Sequence, residues 1–158
     1  MNAFTKTISS PKFIFILFLA LVVFATLQAI LLTKPHPLAG EWPYTYYNNY
    51  VIFKQSFFHL IHKQDLYCLY PNEYYDPYKY SPAFALVFGI LAYLPNSVGL
   101  LVWNLLNAFV LFAAIYKLPK LDVKYKNLML LTASVELLTC LQSCQSNALI
   151  VGLLILAF

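Results

Sequence analysis

Side chains that could do chemistry are few in this sequence, because only 10% of its 158 residues are charged. Glu41 lies beside Trp42 and Pro43, and could act as a carboxylate base or be a solvated loop acid. Lys79 could pair with a phosphate as a point charge, or lie at a membrane interface with its amine in water. Glu136 falls within an apolar run, where a charge is costly and indicates a function by default. It could instead stay protonated or pair with another residue.

Two pairs of amide residues stand near these candidates. Asn48 and Asn49 open a helical pattern, and as an N-cap they would satisfy its unpaired amide groups. That role is compatible with facing a substrate. Gln145 and Asn147 lie in a hydrophilic stretch between two apolar runs, where they could end a helix or contact a substrate, and we favour the second interpretation.

Metal and disulfide chemistry find little support in the sequence. His59 and His62 lack the i, i+4 spacing of a helical metal pair, which favours polar residues at a membrane interface. The three cysteines make no metal spacing, and their odd number argues against a disulfide framework. Cys140 and Cys144 are best interpreted as small apolar filler. We therefore expect neither a metal nor another cofactor.

The elements that position these residues must be membrane helices. Hydrophobic residues make up 61% of the chain and the mean hydropathy is +0.69. Soluble domains are about 45–50% apolar and about 25% charged, and small ones bury the smaller fraction of their surface. A soluble domain, a disordered chain and a nucleic-acid binder are thereby excluded. We predict an all-α polytopic membrane protein, in which the net charge of +4 reflects topology.

Charge and run length predict which apolar segments cross the bilayer. The run at 83–94 has only 12 residues, which is short for a crossing. The connector 117–126 carries four lysines against one aspartate, so it should be cytoplasmic, which requires that 83–94 does not cross. We predict crossings at about 13–33, 98–116, 127–141 and 148–158, and interfacial or re-entrant helices at about 48–62 and 83–94.

This topology brings two polar segments to one face of the membrane. With the first crossing as an uncleaved signal anchor and the N-terminus in the cytoplasm, the long first loop lies outside. Residues 34–80, with ten of the thirteen tyrosines, share that face with residues 142–147. The last apolar run has barely begun where the sequence stops, so we expect 1–158 to be one membrane domain, the N-terminal part of a longer chain.

Four segments between about residues 49 and 153 resemble, in order and spacing, the pattern of glycosyltransferase family 87. In that family an acidic residue opens an amphipathic helix, which a short step ending in Tyr closes. A Tyr-Pro-Pro segment, a Trp…Asn helix and a Gly-Gln-x-Asn turn then follow. The corresponding residues are Asn49 to Tyr67, Tyr80-Ser81-Pro82 with a later Leu94-Pro95, Trp103-Asn104 with Asn107, and Cys144-Gln145-Ser146-Asn147.

The resemblance implies a C-type glycosyltransferase, with a large extracytoplasmic first loop and interfacial helices. Such an enzyme moves a hexose, usually mannose, from a polyprenyl-phosphate carrier to a glycan or glycolipid acceptor, inverting the anomeric centre. It implies a first-loop carboxylate as general base and no cofactor. We expect an integral protein of the bacterial plasma (inner) membrane. The substrate-binding candidates are Asp65, Lys79, Tyr80, Gln145 and Asn147.

The sequence departs from the family pattern at two positions. Asn49 occupies the acidic position, and an amide cannot accept a proton as a base. Cys144 replaces the glycine of the turn. We keep Glu41 and Asn49 as the catalytic candidates, with Glu41 as the carboxylate. Other acids could take the part, or the activity has been lost or rerouted; those acids are Asp65, Glu73 and Asp76.

A non-enzymatic polytopic membrane protein, such as a transporter half or an assembly subunit, is the alternative hypothesis. Transporters favour broken helices and polar groups near the middle of the bilayer. Glu136 and the short run at 127–141 are the features that support this alternative.

Overall fold

The computed structural model describes residues 10–33 and 44–158, and these residues form six helices. Two of them, Pro11–Leu32 and Asn96–Lys117, are long and apolar enough to cross a membrane. The prediction of an all-helical chain is confirmed for the described residues. The helices are α1 (Pro11–Leu32), α2 (Asn48–Ile61), α3 (Pro82–Ala92), α4 (Asn96–Lys117), α5 (Val123–Gln142) and α6 (Asn147–Ala157).

Local signals set some helix bounds and mislead at others. Ser81 caps α3, since its hydroxyl accepts the Phe84 N–H at 3.3 Å. Helix α5 begins at Val123, a full turn before the predicted 127–141, so its 20 residues span about 30 Å. The prediction that Asn48 and Asn49 form an N-cap is wrong. Tyr47 holds that position, and both amides lie in the first turn of α2.

Helices α1, α4 and α5 pack together, with α4 antiparallel to the other two and α6 packed on α4. Near the start of α1, the Phe15 ring lies 5.0 Å from the Phe109 ring, and near its end Thr26 accepts a 3.0 Å hydrogen bond from Asn104 Nδ2. The two helices therefore run in opposite directions. Gly152 lets α6 approach closely, because a Cβ there would lie 2.9 Å from the Leu111 nitrogen.

The antiparallel order gives the group two chemically different poles. At one pole the Lys126 amine donates to the Tyr116 carbonyl at 2.8 Å, joining the end of α4 to the start of α5. We call this end the lysine pole, and its basic residues are Lys12, Lys117, Lys120, Lys124 and Lys126. The opposite end, where α1 and α5 finish and α2, α4 and α6 begin, is the polar pole.

The apolar face of α2 packs onto protein. Phe53 is buried, and its ring lies 5.0 Å from the ring of Phe84 on α3 and 5.7 Å from Trp103 on α4. Tyr50 is also buried, against Gly99, where a Cβ would lie 1.9 Å from its hydroxyl oxygen. This packing fixes the first turn of α2 beside α4, which positions the amides of the polar pole.

His59, for which the sequence suggested a polar residue at the membrane interface, is covered by protein. Its side chain is buried, and its Nε2 lies 3.0 Å from a carboxylate oxygen of Glu73. The ring of Tyr70 stacks on the imidazole with a centroid separation of 3.8 Å. The loop after α2 folds back over the helix and removes the histidine from solvent.

Candidate functional site

The turn between α5 and α6 is a Schellman motif closed by Cys144. The Cys144 N–H donates to the Leu141 carbonyl at 3.1 Å, and the Gln145 N–H donates to the Cys140 carbonyl at 2.9 Å. Cys144 has φ 52°, a left-handed conformation that glycine adopts without steric cost. This left-handed conformation explains why the family pattern has a glycine at this position of the turn. Burial raises the pKa of the Cys144 thiol to about 12, so the side chain stays an uncharged thiol.

Two residues of α4 hydrogen-bond to this turn and to the start of α6. Trp103 Nε1 donates to the Cys144 carbonyl at 3.1 Å. One turn further along, Asn107 Oδ1 accepts the N–H of Leu149, in the first turn of α6, at 3.1 Å. The N–H groups of a first helical turn have no partner within their own helix, so Asn107 caps α6 from a neighbouring helix. The Trp…Asn pair and the turn therefore form one structural unit.

The start of α2 reaches the same turn. Asn49 Nδ2 donates to the Ser143 carbonyl at 2.7 Å. Beside this contact, Gln142 Nε2 donates to Gln28 Oε1 at 2.6 Å and joins the ends of α5 and α1. The two polar segments expected on one face of the membrane are thus in direct contact at the polar pole.

Gln145 and Asn147 lie together at the mouth of a groove between α5 and α6. Asn147 Nδ2 donates to Gln145 Oε1 at 2.9 Å. The groove has a volume of about 420 Å³, and Glu136 lines it further along α5. Apolar side chains of α4, α5 and α6 form most of its remaining wall. This geometry places amide donors at the mouth of a mostly apolar groove.

The remaining sequence candidates are dispersed. Lys79 makes an exposed ion pair with Asp76, with Nζ 2.6 Å from Oδ2. Tyr80 stacks on Phe84 at a centroid separation of 4.9 Å and belongs to the aromatic core around α2 and α3. The Asp65 carboxylate accepts the N–H of the nearby Tyr67 at 2.8 Å, beyond the far end of α2 from the polar pole.

Glu41, the predicted carboxylate, lies outside the described residues. Sequence reasoning missed Gln28 altogether, and it missed the partners of Asn107 and Asn48, because these partners are far along the chain. Gln28 pairs with Gln142, and Asn107 caps α6 as described above. Asn48 hydrogen-bonds both backbone groups of Tyr75, with its Oδ1 accepting the Tyr75 N–H at 3.0 Å. The tendency of asparagine to bond to backbone is the only local signal.

Comparison with known proteins adds one match. The model of the family described as Glycosyltransferase family 87 matches residues 78–158, just over half of the chain. No curated protein and no solved structure matches the chain. The matched stretch contains α3 to α6, and with them Trp103, Asn107 and the Schellman turn. Together with α1 and α4, the match confirms the predicted all-α polytopic membrane protein.

Proposed function

The chain belongs to glycosyltransferase family 87, and from this membership we propose that it transfers a hexose from a polyprenyl-phosphate carrier to an extracytoplasmic glycan or glycolipid acceptor. Glycosyltransferase activity follows from the family, whereas the carrier, the acceptor and mannose as the sugar are our proposal. The observation that carries it is the 2.7 Å hydrogen bond between Asn49 Nδ2 and the Ser143 carbonyl. This contact joins the first loop to the turn that resembles the family pattern.

The membrane orientation in this proposal follows from the two poles. Cytoplasmic segments near membrane crossings carry an excess of lysine and arginine, which supports a cytoplasmic lysine pole and N-terminus. The polar pole then faces outward, in a bacterial plasma membrane. Helix α1 ends and α4 begins at the polar pole. The segment between them, which contains α2 and α3, therefore leaves and rejoins the bundle on the same side of the membrane. This supports the proposal that 83–94 does not cross, and that the crossings are those near 13–33, 98–116, 127–141 and 148–158.

The proposed reaction needs a base for the acceptor hydroxyl and donors for the leaving phosphate. The oxygen of the acceptor attacks C1 of the sugar from the face opposite the phosphate, which inverts the anomeric centre. Gln145 and Asn147 present amide N–H donors at the mouth of the groove, where the phosphate of a lipid carrier would arrive. The apolar wall of the groove suits the adjoining lipid chain.

The alternative, a non-enzymatic transporter half or assembly subunit, has one supporting observation. Glu136 lines the groove between α5 and α6, and an ionisable residue at membrane depth is a functional candidate. Membership of a glycosyltransferase family favours the enzyme.

Transfer of label in membranes that carry the full-length protein tests the proposal. We expect radiolabelled polyprenyl-phosphate mannose to label an acceptor, and Gln145→Ala and Asn147→Ala each to lower the rate at least about tenfold. Gln64→Ala, at an exposed position beyond the end of α2, is the matched control and should keep the wild-type rate. A folded wild-type protein that transfers no label from any polyprenyl-phosphate sugar would refute the enzyme hypothesis.

A further inference from the structure

Because the amide of Asn49 cannot act as a base, the proposed reaction needs a carboxylate at a different position to take the proton of the acceptor hydroxyl. Two of the acids after α2 are already engaged away from the polar pole. The Asp65 carboxylate closes its own turn by accepting the Tyr67 N–H. Glu73 pairs with His59, which lies about 16 Å along α2 from its first residue.

Asp76 is held beside the first turn of α2. The Asn48 side chain hydrogen-bonds to both the N–H and the carbonyl of Tyr75, and Asp76 is the next residue along the chain. Asp76 has φ 81°, a conformation that aspartate tolerates better than most residues. Asn49, in the family's acidic position, follows Asn48 in the same turn. Asp76 therefore follows a residue that is anchored to the first turn of α2, the turn in which the family pattern has its acid.

The surroundings of Asp76 suit a sugar. A surface hollow of about 410 Å³ is lined by Asp76 together with Leu69, Tyr75 and Pro77. The ring of Tyr75 packs edge-on to the ring of Tyr44 at 6.1 Å, and these side chains are 52% and 57% exposed. Exposed rings offer apolar faces with a polar hydroxyl at one end, and a pyranose has the complementary apolar faces and hydroxyl rim.

The segment that carries Tyr44 is anchored to the end of α1. The N–H of Tyr46 donates to Thr33 Oγ1 at 3.0 Å, and the Tyr46 ring packs on Tyr44 at 6.2 Å. Two separate anchors, at Thr33 and at Asn48, therefore hold the backbone segments that carry the two tyrosines, and the second segment continues directly into Asp76. Aromatic groups on an anchored backbone lose less conformational entropy on binding than those on a free segment.

We propose that Asp76 is the general base of the reaction and that Tyr44 and Tyr75 bind the acceptor sugar, an inference that rests on the proposed function. The Asp76 carboxylate takes the proton of the acceptor hydroxyl while its oxygen bonds to C1 of the donor sugar. The bond from C1 to the phosphate oxygen breaks, and its electron pair leaves with the phosphate. The proton stays on Asp76 until water removes it.

Lys79 acts as a positioning residue for this base. Its amine contacts Oδ2 of Asp76 at 2.6 Å, and we assign the proton transfer to the other carboxylate oxygen, Oδ1. This differs from the phosphate-binding role that the sequence suggested for Lys79. The two roles predict different kinetics, because loss of a phosphate ligand raises the KM of the donor, whether or not kcat also falls, whereas loss of a positioning residue lowers kcat at an unchanged donor KM.

Steady-state transfer from radiolabelled polyprenyl-phosphate mannose to octyl mannoside, with the full-length protein, tests the inference. Asp76→Asn should lower kcat at least about 100-fold with an unchanged KM for the donor. Asparagine tolerates a positive φ, and Asp76→Gly is the second variant that suits this backbone. Asp122→Asn, at the lysine pole, is the matched control. Lys79→Gln should lower kcat roughly tenfold without raising the donor KM.

The tyrosines have their own readout. Tyr75→Leu and Tyr44→Leu should each raise the KM of octyl mannoside about three- to tenfold at unchanged kcat. Tyr125→Leu is the matched control, because Tyr125 is also 52% exposed but lies at the lysine pole. If the wild type is active and the Asp76→Asn and Asp76→Gly variants keep its kcat, this inference is overturned and the proposed function is not. The same holds if Glu41→Gln loses activity while the Asp76 variants stay active. A folded wild type that transfers nothing overturns the proposed function as well.

Discussion

The capping of α6 by Asn107 makes a prediction about stability and activity together. Asn107→Leu keeps much of the side-chain volume but removes the acceptor of the Leu149 N–H, and with it the 3.1 Å hydrogen bond from Nδ2 to the Trp103 carbonyl. Hydrogen bonds between membrane helices contribute about 0.6 kcal/mol on average and up to about 1.7. A buried donor left without a partner costs about 1–3 kcal/mol. We therefore expect a loss of about 1–3 kcal/mol in the free energy of unfolding.

Unfolding of the purified protein by SDS in mixed micelles measures this loss. Leu106→Ala, at the preceding residue, is the matched control. Leu106 is 42% exposed on the outside of α4, so its substitution should change the free energy of unfolding by less than about 0.5 kcal/mol. The same Asn107→Leu variant should lose transfer activity, since the cap positions the turn with Gln145 and Asn147. An Asn107→Leu protein as stable as the wild type would show that the cap does not hold α6.

Three further outcomes follow from conformation and ionisation. Lys63 is exposed at the end of α2 with φ 58°, so Lys63→Gly should raise stability by up to about 1 kcal/mol in the same SDS titration; a lower stability would contradict the argument. The negative charge of Asp65 raises the pKa of the exposed Cys68 thiol, so Asp65→Asn should increase the thiolate fraction and the rate of maleimide labelling at neutral pH, and an unchanged rate would remove that coupling. Burial raises the pKa of Tyr50 and of Tyr78 to about 12. Because unfolded tyrosine ionises near pH 10, stability should be complete below about pH 10 and fall between about pH 10 and 12, as thermal melting in detergent would show.

Much of the fold could be predicted because helices depend on local composition. The predicted first crossing, 13–33, coincides with α1 to within two residues at each end. The start of α5 was missed because Lys124 and Lys126 make its first turn look like a polar connector. The side chain of Asn48 was assigned to its own helix, where capping is the cheapest local role. Its actual partner, Tyr75, lies 27 residues away and satisfies both ends of the amide.

The site could be predicted only in its parts. The turn at Cys144 and the pair Trp103 and Asn107 were each recognised, yet their contact was invisible, because Trp103 and the Cys144 carbonyl are 41 residues apart. The carboxylate was harder still. Sequence spacing treats Asp65, Glu73 and Asp76 as equivalent loop acids, and only their different hydrogen-bond partners distinguish them.

The sequence by itself determined that this is a helical membrane protein, because an apolar excess in long runs and the position of the lysines act through composition and helix length. It also supplied the motifs that connect the chain to its family. Tertiary structure alone decided that Asn49 meets Ser143, 94 residues away, and that Lys79 pairs with Asp76. A hydrogen bond needs a donor–acceptor distance within a few tenths of an ångström of about 2.9 Å and a nearly straight donor–hydrogen–acceptor angle. Such geometry arises only when packed helices fix both partners, and no local pattern specifies it.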